Sequence, residues 1–190
     1  MSSTGHPGHS GHSGHSALVV PVPALEEWVK ARHEHYDRAY ASDDPSFAHA
    51  HITLLAPFIS SDDLATATPR VEEILSRTTP FAVELATVAT FPNGIIHLVP
   101  DRVASARFRT LTRALTEAFP AYPPYAGAFG DVAPHLTLDA VGPGVTEAIV
   151  RQWLAPLLPI RAYAASAHLS WYEAGACRTL AHWPLGSATR

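Results

Sequence analysis

The chain has 190 residues and contains one cysteine, Cys177, and one lysine, Lys30. A lone thiol cannot close an internal disulfide or build a thiolate zinc cluster. Cys177 reads as a small apolar residue on a late strand, and a reducing cytoplasm is the expected compartment. No apolar run approaches the roughly 18 to 20 residues that span a bilayer, so no membrane partner is expected. Met1 to His6 show no basic segment followed by an apolar run, so no secretory signal is expected. Basic charge is scarce too: 13 Lys and Arg stand against 17 Asp and Glu, for a formal net charge of −4. The arginines are spread along the chain without a run. Grip on a long polyphosphate comes from neutralised phosphates and the counterions they release. The composition therefore argues against tight binding to long RNA or DNA, and it leaves room for a nucleotide or a short RNA end.

What the chain has is apolar content, 47% of residues, ordinary for a globular protein and too rich for disorder. Residues 1–16 stand apart. Their Gly-His-X repeat carries His6, His9, His12 and His15 and no apolar side chains to offset the entropy of ordering, so a disordered Gly/His-rich tail is expected. Residues 17–190 are expected to form one domain, with lobes at about 17–100 and 101–186.

Period and punctuation give the elements. Ala17 to Pro23 is a β-branched run closed by prolines, a buried strand. Ala24 to Tyr40 has helical spacing through Leu25, Trp28, Val29 and Tyr36. Residues 48–57 read as a strand, and a helix from Asp62 to about Arg77 follows. Phe81–Thr90 and Ile95–Val99 flank the turn Phe91-Pro92-Asn93-Gly94. A helix covers Asp101 to Phe119, a strand Pro134 to Val141, and a helix Val145 to Leu158. Two last strands run from about Arg161 to Tyr172 and from about Arg178 to Trp183. The second half largely repeats the order of the first, which predicts an α+β fold with two sheet-bearing lobes.

The chemistry sits on two of these strands. Side chains alternate along a strand, so residues i and i+2 share a face. His51 and Thr53 therefore point together, and so do His135 and Thr137. Ile52, Leu54, Leu136 and Leu138 take the other face and bury the strands. Two imidazole–hydroxyl pairs suit a phosphodiester. A neutral histidine takes a proton from the attacking oxygen and a protonated one gives a proton to the leaving oxygen. The threonine hydroxyls donate to the non-bridging oxygens. The scheme calls for no metal and no cofactor. It does not say which histidine is the base.

Ala50-His51-Ile52-Thr53-Leu54-Leu55-Ala56-Pro57-Phe58 and Pro134-His135-Leu136-Thr137-Leu138 resemble the two signature strands of the 2H phosphoesterase superfamily, and of its 2′-5′ RNA ligase-like group in particular. Ala17 to Pro23 is similar to that family's first strand, Phe81 to Val99 to its central hairpin, and Leu169-Ser170-Trp171-Tyr172-Glu173 with Leu180 to Gly186 to its closing pair. The resemblance implies a two-lobed fold with pseudo-two-fold related halves and a central cleft, His51, Thr53, His135 and Thr137 as the catalytic set, and a role in RNA processing. It implies action on 2′,3′-cyclic phosphates, 2′-5′ linkages or related cyclic nucleotide bonds. The alternative function is a nucleotide- or phosphate-binding module of the same fold without turnover.

Around the quartet, Phe58, Tyr125, Phe129 and Trp171 are the candidate base-stacking residues and Arg178 a candidate phosphate ligand, with Phe91 and Tyr122 as further aromatics. His49 shares a face with His51 and reads as a rim residue, since sequence places no third ligand near the pair. His33 and His35 read as solvated on a surface helix. His97, His168 and His182 read as hydrogen-bonded strand residues. Asp131 and Asp139 read as turn or strand-end residues. The expected partner is a nucleotide or short RNA end, and the expected state a monomer.

Overall fold

The computed structural model describes residues 14–127 and 133–186, without the side chains of residues 125 and 126. Eight strands form one antiparallel sheet: β1 (His15–Pro21), β2 (His51–Leu55), β3 (Phe81–Thr90), β4 (Ile95–Pro100), β5 (Leu136–Ala140), β6 (Ile160–Ala164), β7 (Ser166–Tyr172) and β8 (Arg178–Pro184). Their order across the sheet is β6-β3-β4-β5-β2-β1-β7-β8. Four helices complete it: α1 (Glu26–Tyr36), α2 (Leu64–Ser76), α3 (Arg102–Ala118) and α4 (Glu147–Leu154). The α+β class stands, and the sheet falls into two halves that meet at β5 and β2.

The halves are interleaved in sequence. β1 pairs with β2 and β7, and β7 with β8, whereas β3 pairs with β4 and β6, and β4 with β5. Lobes at 17–100 and 101–186 therefore do not describe the sheet, because strand partnership ignores the chain midpoint. The run expected as one strand from Arg161 to Tyr172 is two, broken at Ala165. One residue spans about 7 Å between its neighbours. Yet β6 lies at one edge and β7 is next to last at the other. Five intervening strands at about 4.8 Å spacing can be reconciled with that link only if the sheet curls strongly. β1 begins at His15, so residues 15 and 16 of the expected tail belong to the sheet. Residues 1–13 lie outside the described part.

Local sequence accounts for the helices. Asp101 caps α3 by accepting from the backbone N–H groups of Val103 (2.8 Å) and Ala104 (3.0 Å). Ala104, Phe108, Leu111 and Leu115 then recur at helical spacing and are buried. In α2, Ala67, Val71 and Leu75 do the same. Thr146 caps α4, and Glu26 and Glu27 fill the first turn of α1, where carboxylates are favoured. Phe108 packs on Phe81 of β3 with ring centroids 5.0 Å apart, so α3 covers the face carrying Phe81, Val83, Leu85, Leu98, Leu136, Ile52 and Leu54. The opposite, cleft face carries His51, Thr53 and Thr137, each only part-buried.

Arginines scattered in sequence do gather in the fold. Arg70, Arg77, Arg102 and Arg107 line one groove between α2 and α3, on the helix-covered side of the sheet. They are absent from the cleft face, so this basic groove does not contribute charge to the histidine–threonine site.

β2 and β5 meet through Ile52 and Leu136, both 0% exposed. Ile52→Ala removes three carbons from this seam and is expected to cost about 2–5 kcal/mol, the range for truncating a buried aliphatic side chain. Urea unfolding of the variant measures it; a loss below about 1 kcal/mol would mean that the seam is not where the halves are held.

Candidate active site

Two strands and one register build the site. Ile52 is the antiparallel partner of Leu136. One residue either way, His51 stands opposite Thr137 and Thr53 opposite His135. Directly opposed side chains lie about 5 Å apart at Cβ and diagonal ones about 7–8 Å apart. The sheet thus gathers His51, Thr53, His135 and Thr137 into one quartet on the cleft face, with the two imidazoles on a diagonal.

Both rings are oriented in the same way. His51 Nδ1–H donates to the Ala48 carbonyl at 2.8 Å, and His135 Nδ1–H to the Ala133 carbonyl at 2.8 Å. A carbonyl only accepts, so each Nδ1 carries the hydrogen and each Nε2 offers its lone pair. Burial pushes His51 down to about 4, against the Ala48 hydrogen bond, which works upwards, and the nearby His33 adds to the depression. Burial also lowers His135, opposed by the Ala133 hydrogen bond and helped by His97. Both imidazoles are therefore neutral at neutral pH.

α1 positions β2. The Glu26 carboxylate accepts from the backbone N–H groups of His49 (3.0 Å) and Ala50 (2.9 Å) and from His49 Nδ1 (2.6 Å). Burial raises the Glu26 carboxyl, but these hydrogen bonds outweigh it and the net shift is downward. His49 Nε2 accepts from the Ser42 backbone N–H at 3.0 Å. Both ring nitrogens are thus occupied and the side chain is buried, so His49 is a structural clamp and not a rim residue. His33 is half-buried with its ring 5.9 Å from that of His49, where a solvated position was expected; His35 is exposed. Asp139 is a buried anchor: its carboxylate meets Arg32 Nε of α1 at 2.6 Å, and that guanidinium lies over Trp153 of α4. Asp131 lies outside the described residues.

Tyr172 and His97 are the residues the sequence reading missed. The Tyr172 hydroxyl lies 3.3 Å from His51 Nε2. His97 pairs with Thr137 in the sheet, and its ring is 5.4 Å from that of His135. Phe91 stacks on His97 at 3.7 Å and lies perpendicular to the His135 ring at 4.8 Å. Strand alternation was the available signal for Tyr172, which shares a face with His168 and Ser170. His168 stands in one row with Val19 and Thr53, and faces His182 with rings 5.8 Å apart.

Three expected substrate contacts do not reach the quartet. Phe58 is a core residue, 5% exposed and packed edge-to-face on Phe119 and Tyr122. Trp171 alternates with Tyr172 and so takes the opposite face, where its indole N–H donates to Glu173 at 2.9 Å. The Arg178 guanidinium lies over the Trp171 ring at 5.7 Å and goes with it. The Tyr125 ring and Phe129 lie outside the described residues. Among the described residues, no three His, Cys, Asp or Glu side chains converge as a metal site, and no helix is long and apolar enough to cross a membrane.

An antiparallel sheet in two like halves, with one His-X-Thr strand from each half paired at the centre, defines the class of the two-histidine phosphoesterases. The chain belongs to the 2′-5′ RNA ligase superfamily, whose model matches residues 20–176. Among solved structures, the fold is similar to that of E. coli LigT complexed with 3′-AMP, at 16% identity and TM-score 0.56 over 93% of this chain and 100% of that one. It is similar also to TT0787 of Thermus thermophilus, at 17% identity and TM-score 0.61 over 92% of this chain and 100% of that one. No functionally curated protein matches the chain.

Burial lowers His33, His51, His97, His135 and His168 alike. Each is neutral when folded, and each titrates near 6.5 when unfolded. Below that value the unfolded chain binds more protons, so this stability is fully present above about pH 6.5 and is lost as pH falls through the folded values. The Tm measured by calorimetry is expected to fall steadily from pH 6.5 to pH 4. A flat Tm across that window would mean that these rings are solvated.

Proposed function

We propose that this protein is a phosphoesterase that hydrolyses a nucleotide phosphodiester, a 2′,3′-cyclic phosphate or a 2′-5′ linkage, by two-histidine acid–base catalysis. The single observation that carries the reading is the Ile52–Leu136 pairing, which gathers two imidazoles and two hydroxyls on one face. Membership of the 2′-5′ RNA ligase superfamily supports the substrate class. So does the 3′-AMP bound by LigT, since opening a 2′,3′-cyclic phosphate leaves a phosphate on one ribose oxygen.

In this scheme the anionic phosphodiester sits between Nε2 of His51 and Nε2 of His135. Thr53 and Thr137 donate hydrogen bonds to its non-bridging oxygens, where charge must be held through the transition state. One neutral imidazole takes a proton from water as its oxygen attacks phosphorus. The other must be protonated to give a proton to the departing ribose oxygen. Burial alone works against that, and the phosphate charge works for it, because a nearby anion raises an imidazole. The substrate thus prepares its own acid. Side chains supply both proton transfers and the charge stabilisation, so the scheme calls for no metal.

His51→Ala and His135→Ala are each expected to reduce turnover of a 2′,3′-cyclic nucleotide by about 10²–10⁴-fold, the usual contribution of a general acid or base, with circular dichroism unchanged. Full activity in either variant would remove the mechanism. Tight binding without product in the parent protein would favour a binding module instead. Prior dialysis against a chelator is expected to leave the rate unchanged, and a loss restored only by a divalent cation would contradict a side-chain-only site.

A further inference from the structure

The two halves of the site are alike in their His-X-Thr strands and unlike in what touches each imidazole. Nε2 of His51 faces the Tyr172 hydroxyl at 3.3 Å. No hydrogen bond engages Nε2 of His135 among the described residues; that ring lies perpendicular to Phe91 and near-perpendicular to His97. Tyr172 is firmly placed. It stacks on His15 at 5.5 Å and packs edge-to-face on Phe47 at 5.3 Å. With Nδ1 fixed by Ala48 and Nε2 by Tyr172, the His51 ring is held at both nitrogens.

We infer that Tyr172 is a positioning residue that holds His51 as the base of the hydrolytic direction, leaving His135 as the acid. The assignment rests on the reading of the quartet as a hydrolytic site. Its physical basis is donor chemistry. A phenol donating to Nε2 requires a lone pair there and favours the unprotonated ring, whereas an acid must carry a proton on that nitrogen. Burial keeps the Tyr172 phenol protonated, so it remains a donor at any pH of interest. When substrate and water enter, the water hydrogen bonds to His51 Nε2 in place of the phenol, and its oxygen attacks phosphorus while its proton passes to that nitrogen. The bond from phosphorus to one ribose oxygen breaks. The proton on His135 Nε2 goes to that oxygen, and solvent returns a proton from His51 to His135, so one water is consumed per bond opened.

The charged and titratable groups facing His51 are Glu26 and His33 of α1, His49 of the preceding loop, Tyr172 of β7 and His15 beyond it. Tyr172→Phe keeps the ring packing and leaves all the others in place. It is expected to lower kcat about tenfold with little change in KM, and to move the acid limb of the kcat/KM profile to higher pH while the alkaline limb stays. In substrate-free protein, imidazole NMR titration is expected to show His51 titrating at higher pH in Tyr172→Phe and His135 unchanged.

The roles are separated by a p-nitrophenyl phosphodiester, whose leaving group departs without a proton. His135→Ala is expected to act on it within about tenfold of the parent, after a loss of about 10²–10⁴-fold on the cyclic nucleotide. His51→Ala is expected to lose activity on both, and Tyr172→Phe to lose equally on both. The converse pattern, with His51→Ala rescued by the activated leaving group, overturns the assignment, as does an unmoved His51 titration in Tyr172→Phe. A parent protein that turns over neither substrate overturns the functional reading and the base assignment with it. The titration decides the Tyr172–His51 contact whatever the turnover shows.

Discussion

The structure depends on one strand pairing. β2 and β5 are the strands by which the two half-sheets meet, and Ile52 and Leu136 fix their register from the buried side. Strand side chains have a period of two, so a slip of one residue would turn Ile52 and Leu54 towards the cleft and His51 and Thr53 into the core. Burying an imidazole and a hydroxyl without partners costs a few kcal/mol, and exposing two aliphatic side chains forfeits about as much again. The apolar residues choose the register, and the geometry of the histidine–threonine quartet follows from it on the opposite face. Function and stability are thus separated by face along the same strands, with neither able to shift alone.

This separation is why the quartet was legible in the sequence. Both strands are central and half-buried, so the alternation of imidazole, aliphatic, hydroxyl, aliphatic survives as a pattern of two repeated segments. Helix boundaries were legible for similar local reasons, such as the Asp101 and Thr146 caps and the apolar stripe of α3. The partition into halves was not. It depends on which strand finds which, and the break at Ala165 lies within Ala164-Ala165-Ser166, which has no glycine or proline to mark it. An unbroken apolar run reads as one strand whether its two ends stay together or part to opposite sides of the sheet.

The surroundings of the quartet were harder to read, because each neighbour arrives from a remote element. Tyr172 comes from β7 and His97 with Phe91 from the β3–β4 hairpin, and nothing local ties them to His51 or His135. Aromatic identity misled where face decided: Trp171 and Tyr172 are adjacent, and only the second points into the cleft. Phe58 follows directly on the first motif strand, yet it turns into the core against Phe119 and Tyr122. Arginine counting along the chain misled in the same way, since Arg70, Arg77, Arg102 and Arg107 come together only when α2 lies beside α3.

A site with two equivalent halves has a difficulty that chemistry alone does not remove. Hydrolysis needs one imidazole with a free lone pair and one with a proton, and burial drives both rings towards the first condition. A substrate anion would favour protonation of either ring equally if the rings were equal. The difference must come from outside the repeated strands, and the fold supplies it where the two halves diverge. β7 brings a hydroxyl to one ring, and the β3–β4 hairpin brings the rings of Phe91 and His97 to the other. A donor against a lone pair resists protonation at His51, whereas no hydrogen bond engages Nε2 of His135 among the described residues, which in the proposed mechanism leaves it to take up a proton when the phosphate arrives. In the proposed mechanism the pseudo-symmetry places the two groups at the phosphate, and the departures from it give them different work.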